Sequence, residues 1–354
     1  MPSLKSYSQT VSKEQSKPVQ KFSYEMLYGL LTRGSVRLSQ IARSLKEDTA
    51  LLYTEKRLSR NICGNIDTEK LEREYLKLVK VGEVIAVDNC DIEKNKGYKM
   101  PYRGIIWDGS EQRLASGYNM IQIEAVNKDR SGFPLAMRLH SYKAYKEGES
   151  QNKLLLREVE RLSALFPNRI WVFDRGYDSG RIMEGLRQMP LTYIICQKGT
   201  RKLFTKHKSF LVKNAWRHIP LKKTSREKLG YAHIRINGTD KLHTIILSKH
   251  SRKPVVALLS NHLVKDMKDA ERLLKAYRQR WCIEESIRFL KQSFDLEDIR
   301  LLRYEALQRM MIFVMLSYGF LRLNQKKLLL KNEVKHFSEP PRFKMYRVME
   351  SIGF

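Results

Sequence analysis

Four side chains able to do phosphate and metal chemistry recur at fixed spacing in residues 276–291, which read AYRQRWCIEESIRFLK. They are a phenol, a guanidinium, a carboxylate and an ammonium, from Tyr277, Arg280, Glu284 and Lys291. In one continuous helix, their offsets of three, seven and fourteen residues place them within an arc of about 60°. Such a face could bind a phosphate and a metal ion together. The alternative is an ordinary solvated helix face, but neighbouring apolar residues such as Trp281, which we expect to pack, leave little plain surface.

Two aspartates offer partners for Glu284. Asp88 lies in EVIAVDNCDI (residues 83–92) and Asp174 ends RIWVFD (residues 169–174), and both runs are typical of buried strands. Asp91 competes with Asp88, and Asp174 alone could simply cap the next helix. Hard Mg²⁺ or Mn²⁺ ions prefer carboxylate oxygens, and two such ions about 4 Å apart can activate one oxygen and stabilise the leaving one. Together the three acids predict a two-metal phosphodiester site.

The elements that would position these acids alternate between strands and helices. Further strands are predicted at residues 105–107, 120–126, 134–139, 191–197 and 254–260. Helices are predicted at residues 150–166 and 182–188, from Asp266 through Glu284, and at residues 304–323. We therefore predict an α/β fold in which a mixed sheet is flanked by helices.

Regions outside this core have different compositions. We predict a mobile tail over residues 1–20, a helical DNA-binding region over 21–79, a core in two parts over 80–197 and 254–330, a basic β-rich insertion over 198–253, and a basic tail over 331–354. Residues 38–60 suit two short helices with a basic second one, either a helix-turn-helix-like module or a plain helical hairpin. The insertion holds sixteen Lys and Arg against two acids.

The charge balance indicates a polyanionic partner. Lys plus Arg number 67 against 38 Asp plus Glu, a net charge of +29, and nucleic acid is the commonest such partner. A membrane is disfavoured because the longest apolar run, residues 310–321, is too short to span a bilayer. The N-terminus lacks a signal-peptide pattern and the four cysteines lack a CxxC pair, so we expect a cytoplasmic protein.

Residues 83–330 resemble the DDE transposases of bacterial insertion sequences. The spacing Y-x2-R-x3-E-x6-K is similar to the YREK signature of one group, of insertion-sequence four type, and VDNCD and VFDRGYD resemble the segments carrying the family's two aspartates. The resemblance implies a ribonuclease H-like core with a β insertion, two Mg²⁺ (or Mn²⁺) ions, and double-stranded transposon-end and target DNA as substrates. It also implies cleavage at element ends, attack by the freed 3′-hydroxyl on DNA, and a homodimer holding paired ends.

Residue roles follow from this resemblance. Asp88, Asp174 and Glu284 would hold the ions, and Tyr277, Arg280 and Lys291 would grip a terminal phosphate. Arg175 could touch the scissile phosphate or pair with an acid. Trp216, in the insertion, could stack an unpaired base or be a core residue.

Two other functions are compatible with the same residues. A nuclease of the same fold would use the same ions without joining DNA, and no residue separates it from a transposase. The alternative that is not an enzyme is a catalytically inactive DNA-binding protein. The presence of all three acids argues against it. A membrane-surface protein is disfavoured because the basic residues accompany a β insertion and form no amphipathic stripe.

Overall fold

The computed structural model describes residues 3–109, 111–127, 132–145, 149–224, 227–236, 241–250 and 255–330. The helices are α1 (Leu4–Ser12), α2 (Lys17–Arg33), α3 (Leu38–Leu45), α4 (Leu51–Cys63), α5 (Thr68–Leu76), α6 (Gln151–Leu165), α7 (Gly180–Arg187), α8 (Met267–Arg278), α9 (Trp281–Ser293) and α10 (Tyr304–Leu330). The strands are β1 (Val84–Glu93), β2 (Gly104–Asp108), β3 (Arg113–Val126), β4 (Gly132–His140), β5 (Ile170–Phe173), β6 (Thr192–Cys196), β7 (Lys202–Phe204), β8 (Ser209–Leu211), β9 (Lys222–Lys223), β10 (Lys228–Ile236), β11 (His243–Lys249) and β12 (Val256–Ser260).

The centre of the molecule is a mixed sheet with the strand order β4-β3-β1-β5-β6. β1 is antiparallel to β3 and parallel to β5, and β5 is parallel to β6. All four residues of β5 are buried, as are the first four of β1, because apolar β-branched runs suit strands covered on both faces. The predicted mixed sheet flanked by helices is therefore present.

The strands of the basic insertion extend this same sheet. β12 is antiparallel to β6, β11 pairs with β12, and β10 pairs with β11. β7 and β9 both pair with β10, and β8 pairs with β7. The insertion is thus hydrogen-bonded to the strands of the core through an unbroken ladder.

Helix α10 runs through the core, packing against β4 and α2. Its segment Tyr304–Gln325 is long and apolar enough to cross a membrane. However, 72% of the most apolar 18-residue stretch of this segment is buried inside the protein. A core helix explains this burial, as the sequence predicts.

The mobile tail predicted for residues 1–20 is replaced by ordered structure. Helix α1 begins after the N-cap Ser3, and α2 begins at Lys17. Leu4, Tyr7 and Val11 are buried because their spacing of three and four residues forms an apolar stripe. The Tyr7 hydroxyl donates to the Leu316 carbonyl at 2.8 Å. The predicted C-terminal tail, residues 331–354, lies outside the described residues.

One uninterrupted helix through residues 276–291 is also a wrong prediction. Tyr277 lies in α8, and Arg280 is the N-cap of the separate helix α9. At the junction the Arg280 amide donates to the Tyr277 carbonyl and the Ile283 amide to the Arg280 carbonyl, both at 3.0 Å. These three-residue steps are 3-10 hydrogen bonds, and Arg280 keeps right-handed helical dihedrals. The chain therefore tightens at Arg280 without reversing direction.

Candidate active site

Three acidic residues approach one another at the edge of the sheet where β5 ends. Asp88 lies within β1, Asp174 directly follows β5, and Glu284 is in the first turn of α9. β1 and β5 are parallel, with Val87 opposite Phe173. The residue after each of these two is an aspartate, so Asp88 and Asp174 lie at the same level of the sheet. α9 packs against β1, which brings the glutamate to the two aspartates.

A single guanidinium contacts all three carboxylates. Arg280 Nη1 donates to Asp88 Oδ2 at 2.8 Å, and Nη2 donates to Glu284 Oε1. Nη2 also lies 3.6 Å from Asp174 Oδ1. Since the nitrogens of one planar group are close together, the three acids converge on one point.

Burial and charge oppose each other at this cluster. Burial raises the pKa of Asp88 to about 6, Arg280 acts in the opposite direction, and Asp174 and Glu284 add to the rise. Burial alone would lower the pKa of Arg280, but the neighbouring carboxylates of Asp174 and Asp88 outweigh it and raise that pKa. The arginine therefore stays charged and compensates the acids.

The donor set suits a hard divalent cation. Three carboxylates offer oxygen ligands of the kind Mg²⁺ and Mn²⁺ prefer, and the side chains of Asp88, Asp174 and Glu284 are 18%, 41% and 31% exposed. Within the described part of the chain, no three His, Cys, Asp or Glu side chains are grouped so that they could hold a metal as they stand. Here the Arg280 guanidinium bridges the acids, so bound ions would have to displace it.

Asp91, the competitor for the first acidic position, has different partners. Lys291 Nζ lies 3.0 Å from Asp91 Oδ2 and 3.0 Å from Glu297 Oε1. Burial works against the lysine's charge, but Cys90, Asp91 and Glu297 outweigh it and raise the pKa of Lys291. Asp88 therefore shares the Arg280 cluster, and Asp91 belongs to a neighbouring ion pair.

Tyr277 and Arg175 meet at a cysteine beside the triad. Arg175 Nη2 donates to Cys196 Sγ at 3.9 Å, and burial and then the neighbouring Cys196 raise the pKa of Tyr277. The Arg280 guanidinium carbon lies 5.9 Å from the Tyr277 ring centroid. Cys196 is the last residue of β6, and sequence reasoning missed it, although its place at the end of a parallel strand is the available signal.

Trp216 lies in the insertion, within the 3-10 turn Val212–Arg217. It is 43% exposed and so is not a core residue. Arg217 and Lys249 each place a cationic group 5.3 Å from the centre of its ring system, and the three residues help line a cavity of about 350 Å³. The indole is therefore accessible and surrounded by positive charge. Trp281 is 55% exposed, so the expectation that it packs is wrong.

The two short helices predicted within residues 38–60 are present as α3 and α4. Arg57 of the basic second helix is engaged internally, 2.7 Å from Glu25 and from Glu47. Lys56 and Arg60 are exposed. The hairpin thus presents part of its positive charge to solvent.

Comparisons with known proteins identify the family of the chain and a structure of similar fold. A family model described as "Transposase DDE domain" matches residues 80–320. The cryo-EM structure of a piggyBac transposase synaptic complex with hairpin DNA is similar in fold, with a TM-score of 0.51 and 11% identity over 98% of this chain and 75% of that chain. No curated protein sequence matches significantly. The structural likeness confirms the predicted fold class, with which a ribonuclease H-like core is consistent.

Proposed function

The chain belongs to the transposase DDE domain family, and we propose that it cleaves phosphodiester bonds at transposon ends and transfers the 3′-hydroxyl ends into target DNA. This is cut-and-paste DNA transposition. Within the family we assign the chain to the bacterial insertion-sequence group with the YREK signature, on the spacing of Tyr277, Arg280, Glu284 and Lys291.

The observation that carries the proposal is the contact of Arg280 with all three acids. Asp88 lies in a strand, Asp174 directly follows a second strand, and Glu284 lies in a late helix, yet one side chain bridges them. Ordinary surface acids in a chain of net charge +29 have no reason to gather. A function that needs three carboxylates at one place explains the arrangement.

Asp88, Asp174 and Glu284 are the proposed ligands of two Mg²⁺ or Mn²⁺ ions. When bound, such ions supply a deprotonated attacking oxygen and stabilise the leaving oxygen. The protein's part is to fix the three carboxylates on a rigid sheet edge and helix. Burial of Asp88 supports this role, because a carboxylate desolvated beside two others gains most from a cation.

The proposed DNA contacts surround the triad. Arg280, Lys291 and Tyr277 would bind a terminal phosphate. Arg280 and Lys291 are now paired with carboxylates, so these ion pairs would have to break when metal and DNA bind. Arg175 would contact the scissile phosphate. Trp216 would stack an unpaired base, a contact worth about 1 to 3 kcal/mol.

The remaining regions would bind DNA without reading much sequence. We propose that the helices within residues 21–79 and the insertion within 198–253 contact the phosphate backbone of the transposon ends. A homodimer would hold two ends in one synaptic complex. We place the protein in the bacterial cytoplasm, associated with the nucleoid and not with a membrane.

The test uses purified protein with Mg²⁺ or Mn²⁺, a labelled duplex carrying the element's terminal repeat, and a supercoiled plasmid. Asp174→Ala and Glu284→Gln serve as matched inactive proteins. We expect cleavage at the repeat and joined products with the native chain and neither with the variants. Retained cleavage by Glu284→Gln would refute the triad.

The same assay separates the alternatives. Cleavage without joined products would favour a nuclease of the same fold. Equal DNA binding by native and variant proteins, with no cleavage by either, would favour a DNA-binding protein without catalytic activity.

A further inference from the structure

The segment between β1 and β2 is a basic, aromatic loop that the triad does not use. Residues 94–103 read KNKGYKMPYR, with four basic residues and no acid. Tyr98 is 80% exposed and Tyr102 is 51% exposed. We call these ten residues the β1–β2 loop. From composition alone, the simplest interpretation is a solvated surface loop without a binding role. The contacts of the loop bear on whether it has such a role.

The β1–β2 loop is stabilised by hydrogen bonds within its own ten residues. The Gly97 amide donates to the Lys94 carbonyl at 3.0 Å, and the Met100 amide donates to the Gly97 carbonyl at 2.9 Å. Arg103 Nη1 donates to the carbonyls of Lys94 and Asn95, each at 2.8 Å. Met100 is buried beneath the loop. Such a loop presents its outward side chains at little further cost in conformational entropy.

A chain of polar contacts joins the β1–β2 loop to the Lys291–Asp91 ion pair beside the three acids. Lys94 Nζ donates to the Glu297 carbonyl, the Glu297 carboxylate lies 3.0 Å from Lys291 Nζ, and Lys291 in turn lies 3.0 Å from Asp91. The first residue of the loop, Lys94, lies six positions after Asp88, directly after β1 ends at Glu93. At about 3.3 Å per residue, the loop begins roughly 20 Å from Asp88.

The loop carries cationic groups that are free to bind. Lys96 and Lys99 are exposed, and neither forms an ion pair with any described acid. Arg280 and Lys291, by contrast, are already engaged with carboxylates. The Arg103 guanidinium lies 5.1 Å from the Tyr98 ring centroid, which adds a fixed positive charge beside the exposed ring.

The geometry points to the β1–β2 loop as a further DNA-binding site: Lys96 and Lys99 bind backbone phosphates of a duplex, with Tyr98 against its sugar-phosphate surface. A distance of about 20 Å corresponds to roughly six base pairs at 3.4 Å each, so we expect the contact a little more than half a helical turn from the scissile phosphate. In the sheet, the loop follows β1 on one side of the triad and the insertion begins after β6 on the other. The duplex therefore contacts the protein on both sides of the three acids, at the β1–β2 loop and at the insertion. This inference rests on the proposed function only in taking DNA as the substrate.

The experiment measures duplex binding without divalent metal, so that it does not depend on cleavage. Phosphate contacts make log Kobs fall with log[salt] by about 0.9 per contact. The double variant Lys96→Ala/Lys99→Ala should lower that slope by about 1.8. Lys80→Ala is the matched control, because Lys80 is exposed and precedes β1, at the opposite edge of the sheet. The control should keep the native slope.

Three duplexes identify which DNA the loop holds: the terminal repeat with flanking DNA, the repeat ending at the element boundary, and unrelated target DNA. Ethylation of phosphates about six base pairs from the cleavage position should interfere with binding by the native protein. This interference should be lost in the double variant. An unchanged salt slope on all three duplexes, or an equal loss in Lys80→Ala, would overturn the proposal. Because the binding assay needs no catalysis, a protein that never cleaves DNA would refute the proposed function and leave this site standing.

Discussion

Replacing Arg280 tests whether one cation holds the three acids together. Arg280→Gln removes the charge and keeps part of the side-chain volume. It leaves Asp88, Asp174 and Glu284 facing one another without compensation. We expect the metal-free variant to be less stable than the native protein and to gain more stability from Mn²⁺, because no guanidinium competes with the ions.

The expected loss follows from burial. Removing one partner of a fully buried ion pair costs about 3 to 5 kcal/mol, and the side chains of Arg280 and Asp88 are 13% and 18% exposed. Asp174 and Glu284 are more exposed, and solvent screens their contribution, so we expect about 3 kcal/mol in total. With an unfolding entropy of about 2.1 cal/mol/K per residue, this lowers the Tm of 354 residues by about 4 °C.

The assay is thermal unfolding with and without Mn²⁺, with Arg272→Gln as the matched control. Arg272 pairs with Glu83 and Asp269 at the surface and is 46% exposed, so its loss should cost less than about 1 kcal/mol. The reasoning is wrong if the two variants lose equal stability, or if Mn²⁺ raises the Tm of Arg280→Gln no more than that of the native protein.

Three further predictions concern single residues. Asp88→Asn should abolish metal-dependent cleavage of end DNA and Asp91→Asn should retain it; the reverse outcome would exchange their roles. Trp216→Ala should weaken binding to an end duplex with an unpaired base by about 1 to 3 kcal/mol, whereas an equal loss on a fully paired duplex would exclude stacking. Burial raises the pKa of Glu124 from 4.5 to about 7, so the folded state retains a proton that the unfolded chain releases, and stability falls by about 3 kcal/mol as pH rises through that window. Glu124→Gln should remove this fall in urea unfolding between pH 4.5 and 8, and parallel curves for both proteins would contradict it.

The core strands could be predicted because their residues leave little choice. Residues 83–92 and 169–174 are short β-branched runs, and such runs favour buried strands in any packing. Their acids then follow at strand positions that the sequence alone can number. The site was therefore predictable to the extent that it depends on where strands lie.

Other features depend on contacts that composition does not reveal. Tyr7 sits among polar residues, and its burial requires α10, more than 300 positions away. The break at Arg280 leaves Tyr277, Arg280 and Glu284 close to one another. Residue spacing alone therefore cannot reveal that the helix is interrupted. Arg280 itself could equally bind phosphate or carboxylate, because a guanidinium suits both, and only the fold shows that three carboxylates surround it.

The continuous sheet explains how a long insertion can stand between Asp174 and Glu284 in the chain without separating the three acids. The chain leaves the core after β6 and returns at β12, and these two strands pair directly, with Leu259 opposite Ile195. β6 in turn pairs with β5, which ends beside Asp174. Helix α8 then packs against β5 and β10, so the element leading to Glu284 contacts both the core and the insertion. The insertion and the core are thus connected by hydrogen-bonded strands and by a packed helix. The cavity beside Trp216 and the three acids therefore belong to one framework. DNA bound at the cavity would be held in a fixed position relative to the acids.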